Sequence, residues 1–323
     1  MGAKEILREK MKTLIYGAGP LGILYTYLLH KAGKDVTILA RNKQYDFIKE
    51  NGVVLVNEYT GEKVAAKVNL VDKLEEKDAY DLVVVLIRKN KIQPVLPILS
   101  KNENVENILF MGNNTLGFDE YLEYLPEEKV LFGFPGGGGS RIEHVVHYID
   151  SEKPNGKRMP ITIGEIDGKI KDRTREIKAL FENSSVPVNI AKDIDGWLKY
   201  HVAFISPIAG VILMCGDNYK VAENRDAIRS YIRAVKECGN ILKALEYSKR
   251  YPFKFNLFYW MPEWLVINIM KKLFNSKFAE IGFMLHLKAA TDEMKELANE
   301  FKILIDKTSI ETPNFDKLRS FIP

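Results

Sequence analysis

Three glycines in the spacing GxGxxG, Gly17, Gly19 and Gly22, stand directly after the run Thr13-Leu-Ile-Tyr and directly before the amphipathic stretch Ile23 to Lys31. At this spacing Gly17 permits a tight turn, Gly19 lets backbone approach a diphosphate, and Gly22 lets a helix pack closely on its strand. The first N–H groups of a helix have no partner within it, so the turn Gly19-Pro20-Leu21-Gly22 offers donors and a positive dipole end to phosphate. A glycine turn without a ligand is the bland alternative, but strand, spacing and following helix all agree. The second run, Asp35 to Ala40, is followed by Arg41, where a fold that binds NAD places an acidic residue on the ribose hydroxyls. A carboxylate there would repel a 2′-phosphate, whereas Arg41, with Lys43 close by, can hold one through charge-assisted hydrogen bonds. The pattern predicts NADP(H), although an arginine on a solvated strand end would look the same.

Such a loop needs a doubly wound sheet behind it. From Lys12 to Phe134 short β-branched runs alternate with helical periodicity, which predicts a parallel sheet with crossover helices. The expected strands are Thr13 to Tyr16, Val36 to Leu39, Val53 to Val56, Leu82 to Ile87, Ile108 to Met111 and Val130 to Phe134. Gly136 to Gly139 break the pattern and read as a flexible turn, with Val145 to Ile149 and Ile161 to Gly164 as antiparallel additions. A helix follows from Asp172 to Phe181, and beyond Trp197 strand signals vanish. The reading is an α/β chain with a Rossmann-type doubly wound domain over residues 1–190 and an all-helical domain over 191–323, with helices at Trp197 to Cys215, Arg225 to Tyr247 and one long stretch from Ser276 to Lys307.

Composition narrows the function classes. The chain has 323 residues, 46% hydrophobic and 28% charged, with a formal charge of +4. That is an ordinary globular mixture with no case for nucleic acid. Cys215 and Cys238 lie far apart, outside any CxxC, and read as packing residues of a reducing compartment. His144 and His147 have a ligand-like spacing without a third partner, so no metal is expected. Met1 to Lys10 lack the apolar stretch of a leader, which predicts a soluble cytoplasmic protein. The most apolar segment, Leu257 to Met270, is interrupted by Pro262 and Glu263 and is too short to span a membrane. Its Phe258, Tyr259, Trp260 and Trp264 read as an aromatic core pair of helices, with a lid or a homodimer contact as the alternative.

The segment Asp195-Gly-Trp197-Leu-Lys199-Tyr-His201-Val-Ala203-Phe-Ile-Ser206-Pro207 resembles the Trp-x-Lys segment of the ketopantoate reductases, which is followed in that family by asparagines and an Asn-Pro step. The order of features matches as well: glycine loop, arginine after the second strand, asparagine loop after the fifth, lysine, late glutamate. The resemblance implies a Rossmann domain followed by a helical domain like the C-terminal one of 6-phosphogluconate dehydrogenase. It further implies NADPH-dependent reduction of a 2-oxo acid, foremost 2-dehydropantoate (ketopantoate) to pantoate in pantothenate biosynthesis. On that basis Lys199 is the proton donor and Glu293, counted back from Ile310-Glu-Thr-Pro313, is its acidic partner and a substrate ligand. Asn113 of Gly112-Asn113-Asn114 matches an asparagine beside the nicotinamide, and Arg88 stands near a family lysine that contacts the cofactor. Without the resemblance, Lys199 and Glu293 are two charges among many on solvated helices.

The departures bear on specificity. Four and seven residues beyond Lys199, where the family has substrate-binding asparagines, this chain has Ala203 and Ser206, and Ile281 stands where a serine meets the substrate carboxylate. A pocket with fewer polar groups favours a bulkier or more apolar 2-oxo acid, and His201 can compensate. A related reductase or dehydrogenase of another small ketone or hydroxy acid is the alternative reading. A non-catalytic NADP-binding sensor is the third.

Overall fold

The computed structural model describes residues 11–247 and 253–323; the segment Met1 to Lys10, read above for a leader, lies outside them. The chain divides into two compact units, one holding the described residues up to Gly112 together with Phe118–Ile194, the other holding Asn113–Gly117 and Asp195–Pro323.

In the first unit the large sheet has eight strands: β1 Thr13–Tyr16, β2 Val36–Leu39, β5 Asn69–Val71, β6 Tyr80–Val85, β7 Val105–Met111, β8 Val130–Phe134, β11 Ile161–Gly164 and β12 Val188–Ile190, ordered β12-β11-β8-β7-β6-β1-β2-β5. A second sheet has the order β4-β3-β10-β9, built from β3 Val53–Asn57, β4 Lys63–Ala66, β9 Gly138–Ile142 and β10 Val145–Ile149. β1 pairs in parallel with both β2 and β6. The chain thus winds outward to one side of β1 and returns on the other, and the crevice beyond the carboxyl end of β1 is where such sheets bind ligands. Every residue of β1 and β2 is buried, the pattern of strands covered on both faces.

Helix α1, Pro20–Lys31, buries Gly22, Ile23, Leu24, Tyr25, Thr26, Leu28 and Leu29. The amphipathic helix expected from the sequence is therefore apolar nearly all round. The reason is that it contacts β1 and β2 of the large sheet and β3, β9 and β10 of the small one. The small sheet also corrects the strand assignment. β3 belongs to it rather than to the large sheet, where β5 lies beside β2 instead. β10 pairs antiparallel with β9 but parallel with β3. Gly138 and Gly139, expected in a flexible turn, lie in β9, and Gly139 must be small: a Cβ on it would sit 2.7 Å from the His147 carbonyl oxygen and 3.3 Å from Pro20 Cβ.

The second unit contains no strand among its described residues. Its principal helices are α4 Ile194–Cys215, α5 Arg225–Ala244, α6 Glu263–Phe274, α7 Thr291–Ile305 and α8 Pro313–Arg319, with α2 Asn42–Asn51 and α3 Asp172–Glu182 belonging to the first unit. Asn224 caps α5 by accepting from the Ala227 N–H at 3.0 Å. From that end α5 buries Ala227, Ile228, Tyr231, Ile232, Ala234, Val235, Cys238, Gly239, Ile241 and Leu242, a helical stripe around which the apolar core gathers. Ala203 of α4 lies within that core, fully buried.

Two expectations about this unit change. The long helix from Ser276 to Lys307 is broken: a π-helical turn covers Glu280–Leu285, and Ala290 leaves helical angles (φ −141°, ψ 38°) before α7 begins. Thr291 Oγ1 then donates to the Leu287 carbonyl oxygen at 2.7 Å, which gives that carbonyl a partner across the break. The aromatic segment is split at Met261 and Pro262, so Phe258 is buried while Trp260 and Trp264 are 61% and 57% exposed. Among the described residues the one helix long and apolar enough to cross a membrane is α4, and 67% of its apolar window is buried inside the fold.

A Cβ on Gly22 would fall 1.9 Å from the Gly17 carbonyl oxygen, a backbone atom that cannot move aside. Gly22→Ala is therefore expected to cost more than about 4 kcal/mol, lowering Tm by roughly 10 °C or more in a thermal melt. Gly19→Ala, whose Cβ meets nothing within 4 Å, is expected to melt near the parent.

Candidate active site

The glycine loop stands at the end of β1. Gly17 has φ +126°, a backbone angle that side chains rarely adopt, and its Cβ position is blocked by the Leu86 carbonyl oxygen at 2.6 Å. Gly19 caps α1 with no side-chain hydrogen bond, no acid lies in the first turn, and Pro20 occupies N1. Open space over Gly19 with uncapped helix donors and no competing carboxylate is a cradle that fits a diphosphate. Arg41 is exposed at the start of α2. It lies near enough to Tyr16 that its charge partly offsets the rise that burial imposes on the Tyr16 pKa. Arg141 of β9, to which the sequence reading gave no role, sends Nη1 to the Ala18 carbonyl oxygen at 3.2 Å. Arg88 is exposed, whereas its neighbour Lys89 is buried in an ion pair with Glu120 and lies over the Tyr121 ring.

The polar residues of the second unit are gathered by α4, the break before α7, and the loop 113–117. Lys199 is 3% exposed and pairs with Asp195, one turn earlier on α4. Its Nζ stands 4.9 Å from the centre of the Tyr247 ring, and the Tyr247 hydroxyl donates to Asp195 Oδ2 at 2.7 Å. Gly117 closes on the same group: a Cβ there would be 3.9 Å from both Lys199 Nζ and Asp195 Oδ1. Glu293, in the first turn of α7, is 3% exposed and accepts from Asn113 Nδ2 at 3.1 Å. His286 Nε2 lies 3.8 Å from Glu293 Oε2. The loop 113–117 thus touches the lysine through Gly117 and the glutamate through Asn113, two residues 94 positions apart in sequence by their numbers, 199 and 293.

Ser206 is 2% exposed and its hydroxyl has no hydrogen-bond partner; Ile281, in the π-helical turn, is 2% exposed. His201 stacks on Trp197 with ring centres 5.4 Å apart. Burial, and then the neighbouring His286, push the His201 pKa down to about 3. His144 is bonded to Gln44 and His147 to Glu58, and among the described residues no three His, Cys, Asp or Glu side chains gather as a metal site. Asp195 was legible as the i,i−4 neighbour of Lys199. Tyr247 and His286 carry no local signal, because only folding brings them to the lysine and the glutamate.

The ketopantoate reductase PanE/ApbA family model matches residues 13–155. The 2-dehydropantoate 2-reductase of Listeria innocua is 21% identical to this chain over 239 residues, 73% of this chain and 76% of that one. A solved 2-dehydropantoate 2-reductase from Geobacter metallireducens is similar in fold with a TM-score of 0.75 at 18% identity, covering 96% of this chain and 98% of that one. D-mandelate dehydrogenase, solved with NADH and anilino(oxo)acetate, has a TM-score of 0.74 at 16% identity, with 97% of each chain covered.

A neutral His201 in the folded state has a consequence for stability. Its folded pKa lies below the ordinary histidine value, so between that value and about 3 the unfolded chain binds a proton that the folded chain does not. Its contribution is present above about pH 6.5 and is lost as pH falls. The drop in Tm between pH 7 and pH 5 is expected to be smaller in His201→Gln than in the parent, read by thermal melts at both values.

Proposed function

We propose that this chain, whose residues 13–155 match the ketopantoate reductase PanE/ApbA family model, is an oxidoreductase of that kind and reduces a 2-oxo acid to the 2-hydroxy acid with NADPH, 2-dehydropantoate to pantoate being the leading substrate pair. The observation that carries this reading is the buried lysine and buried glutamate held by one loop, Lys199 beside Gly117 and Glu293 bonded to Asn113. An ammonium and a carboxylate both removed from water are costly to keep without a task.

In the first unit Gly17, Gly19, Pro20, Leu21 and Gly22 would hold the dinucleotide diphosphate, Arg41 the 2′-phosphate, and Arg88 a further part of the cofactor; bound there, the reduced nicotinamide supplies hydride. In the second unit Lys199 stabilises the charge that develops on the substrate carbonyl oxygen and donates the proton that completes the alcohol. Glu293 orients the substrate hydroxyl and Asn113 orients Glu293. The unpartnered Ser206 hydroxyl offers the substrate one hydrogen bond where Ala203 offers none. Ala203 and Ile281 favour a second reading within the same chemistry, a 2-oxo acid with a bulkier or more apolar side chain than ketopantoate.

A panel of 2-oxo acids with NADPH or NADH, followed by loss of nicotinamide absorbance, tests the reading. No turnover of any member would leave a binding role only. Arg41→Ala is expected to weaken NADPH by about tenfold or more while NADH binding changes little; equal affinity of the parent for both cofactors would remove the 2′-phosphate assignment. Lys199→Ala is expected to slow turnover by roughly 10²–10⁴-fold with cofactor affinity retained. Near-full activity in that variant would exclude the lysine as the acid.

A further inference from the structure

We propose that Asp195 and Tyr247 are positioning residues for the Lys199 ammonium, the carboxylate fixing the amine in place and the tyrosine fixing the carboxylate. The inference rests on the reading of Lys199 as the proton donor. A lysine side chain has four rotatable bonds, and an amine that must meet one substrate oxygen gains from being held in a single place. Among the described residues, three elements surround it. Asp195 on α4 pairs with Nζ through one carboxylate oxygen. The other oxygen accepts from the Tyr247 hydroxyl at 2.7 Å, so the carboxylate cannot turn without breaking one of its two bonds. The Tyr247 ring lies 4.9 Å from the ammonium, and its face favours positive charge. Gly117 stands on a third side, where an added Cβ would come within 3.9 Å of the ammonium.

A structural ion pair explains this arrangement less well. An i,i+4 Asp–Lys pair on a solvated helix contributes about 0.5 kcal/mol or less and needs no third partner. In this pair the lysine is taken out of water, 3% exposed, while Asp195 is half-buried and carries a tyrosine on its far oxygen. Of the titratable groups around the lysine, Asp195 comes from its own helix and Tyr247 from the segment after α5. The loop 113–117 brings no charge to it, and the Glu293 carboxylate meets that loop at Asn113. His201, two residues further along α4, stays neutral. When the substrate carbonyl carbon takes hydride from the reduced nicotinamide, an N–H bond of Lys199 breaks and an O–H bond of the product forms. The amine is left neutral beside a charged Asp195, which favours its recovery of a proton from solvent before the next turnover.

The test is the pH dependence of kcat and KM for the full chain, with its best 2-oxo acid and NADPH, in Asp195→Asn, Asp195→Glu, Tyr247→Phe and Lys199→Ala. Loss of the carboxylate disfavours the ammonium, so activity that needs the protonated amine should disappear at lower pH as pH rises. Asp195→Asn is expected to lower kcat by about 10- to 100-fold with KM changed less, and to move the basic limb to lower pH. Tyr247→Phe, which keeps the ring and removes only the hydroxyl, should shift both quantities in the same direction by less, and Asp195→Glu should recover part of the loss. Should Asp195→Asn fail to fold in a thermal melt, Tyr247→Phe carries the test alone. An inactive Lys199→Ala together with an unchanged limb and kcat in the folded Asp195 or Tyr247 variants overturns the positioning role and leaves the lysine as acid. Asp195→Asn turning over faster than the parent also overturns it, since the carboxylate would then restrain the amine. Full activity in Lys199→Ala removes the underlying reading itself.

Discussion

Lys199 is carried inside the helical unit, and an ammonium taken out of water must find a counter-charge or give up its proton. That requirement organises the residues around it. Asp195 meets the charge from one turn away on α4, and the Tyr247 hydroxyl donates to the other carboxylate oxygen. The same need governs Glu293, whose buried carboxylate accepts from Asn113 and faces His286. The two buried side chains are thus satisfied by different partners rather than by each other.

The break ahead of α7 belongs to the same logic. A continuous helix from Ser276 would place Glu293 in mid-helix, with its position dictated by the turns before it. The π-helical turn at Glu280–Leu285 and the departure at Ala290 instead put Glu293 in a first turn, beside the loop that carries Asn113. Irregular helix at such a place costs backbone hydrogen bonds, and the Thr291 hydroxyl, by donating to the Leu287 carbonyl, returns one of them.

In the first unit the controlling constraint is close approach. α1 touches strands of two sheets, so it has almost no solvent face, and Gly22 must lie against the Gly17 carbonyl for the helix to start where it does. Gly139 of β9 and Gly137 just before it serve the same end, since Gly139 sits against Pro20 and Gly137 against Leu21. A loop gripped in this way keeps its amide donors aimed in one direction without needing a ligand to order it. Arg141, arriving from β9, adds a cation to the rim of that loop.

Local pattern was enough for the parts of this protein whose cause is local. Apolar β-branched runs gave the strands that are buried on both faces, the GxGxxG spacing located the turn after β1, and helical periodicity located α5. The resemblance carried by Trp197, Lys199 and Pro207 singled out a lysine that composition would have left on a solvated surface. Strand partnership was not legible, because the short edge strands Lys63–Ala66, Asn69–Val71 and Val188–Ile190 owe their form to neighbours rather than to an apolar pattern. The glycines at 136–139 read as a turn because their reason for being small, the helix and carbonyls pressed against them, lies elsewhere in the chain. Sequence alone determined the glycine turn after β1 and singled out Lys199 and Glu293 as candidates. Only the tertiary structure decided that Tyr247 would hold Asp195, and that Asn113 would hold Glu293, because hydrogen bonds spanning 52 and 180 residues are set by packing and leave no periodicity to read.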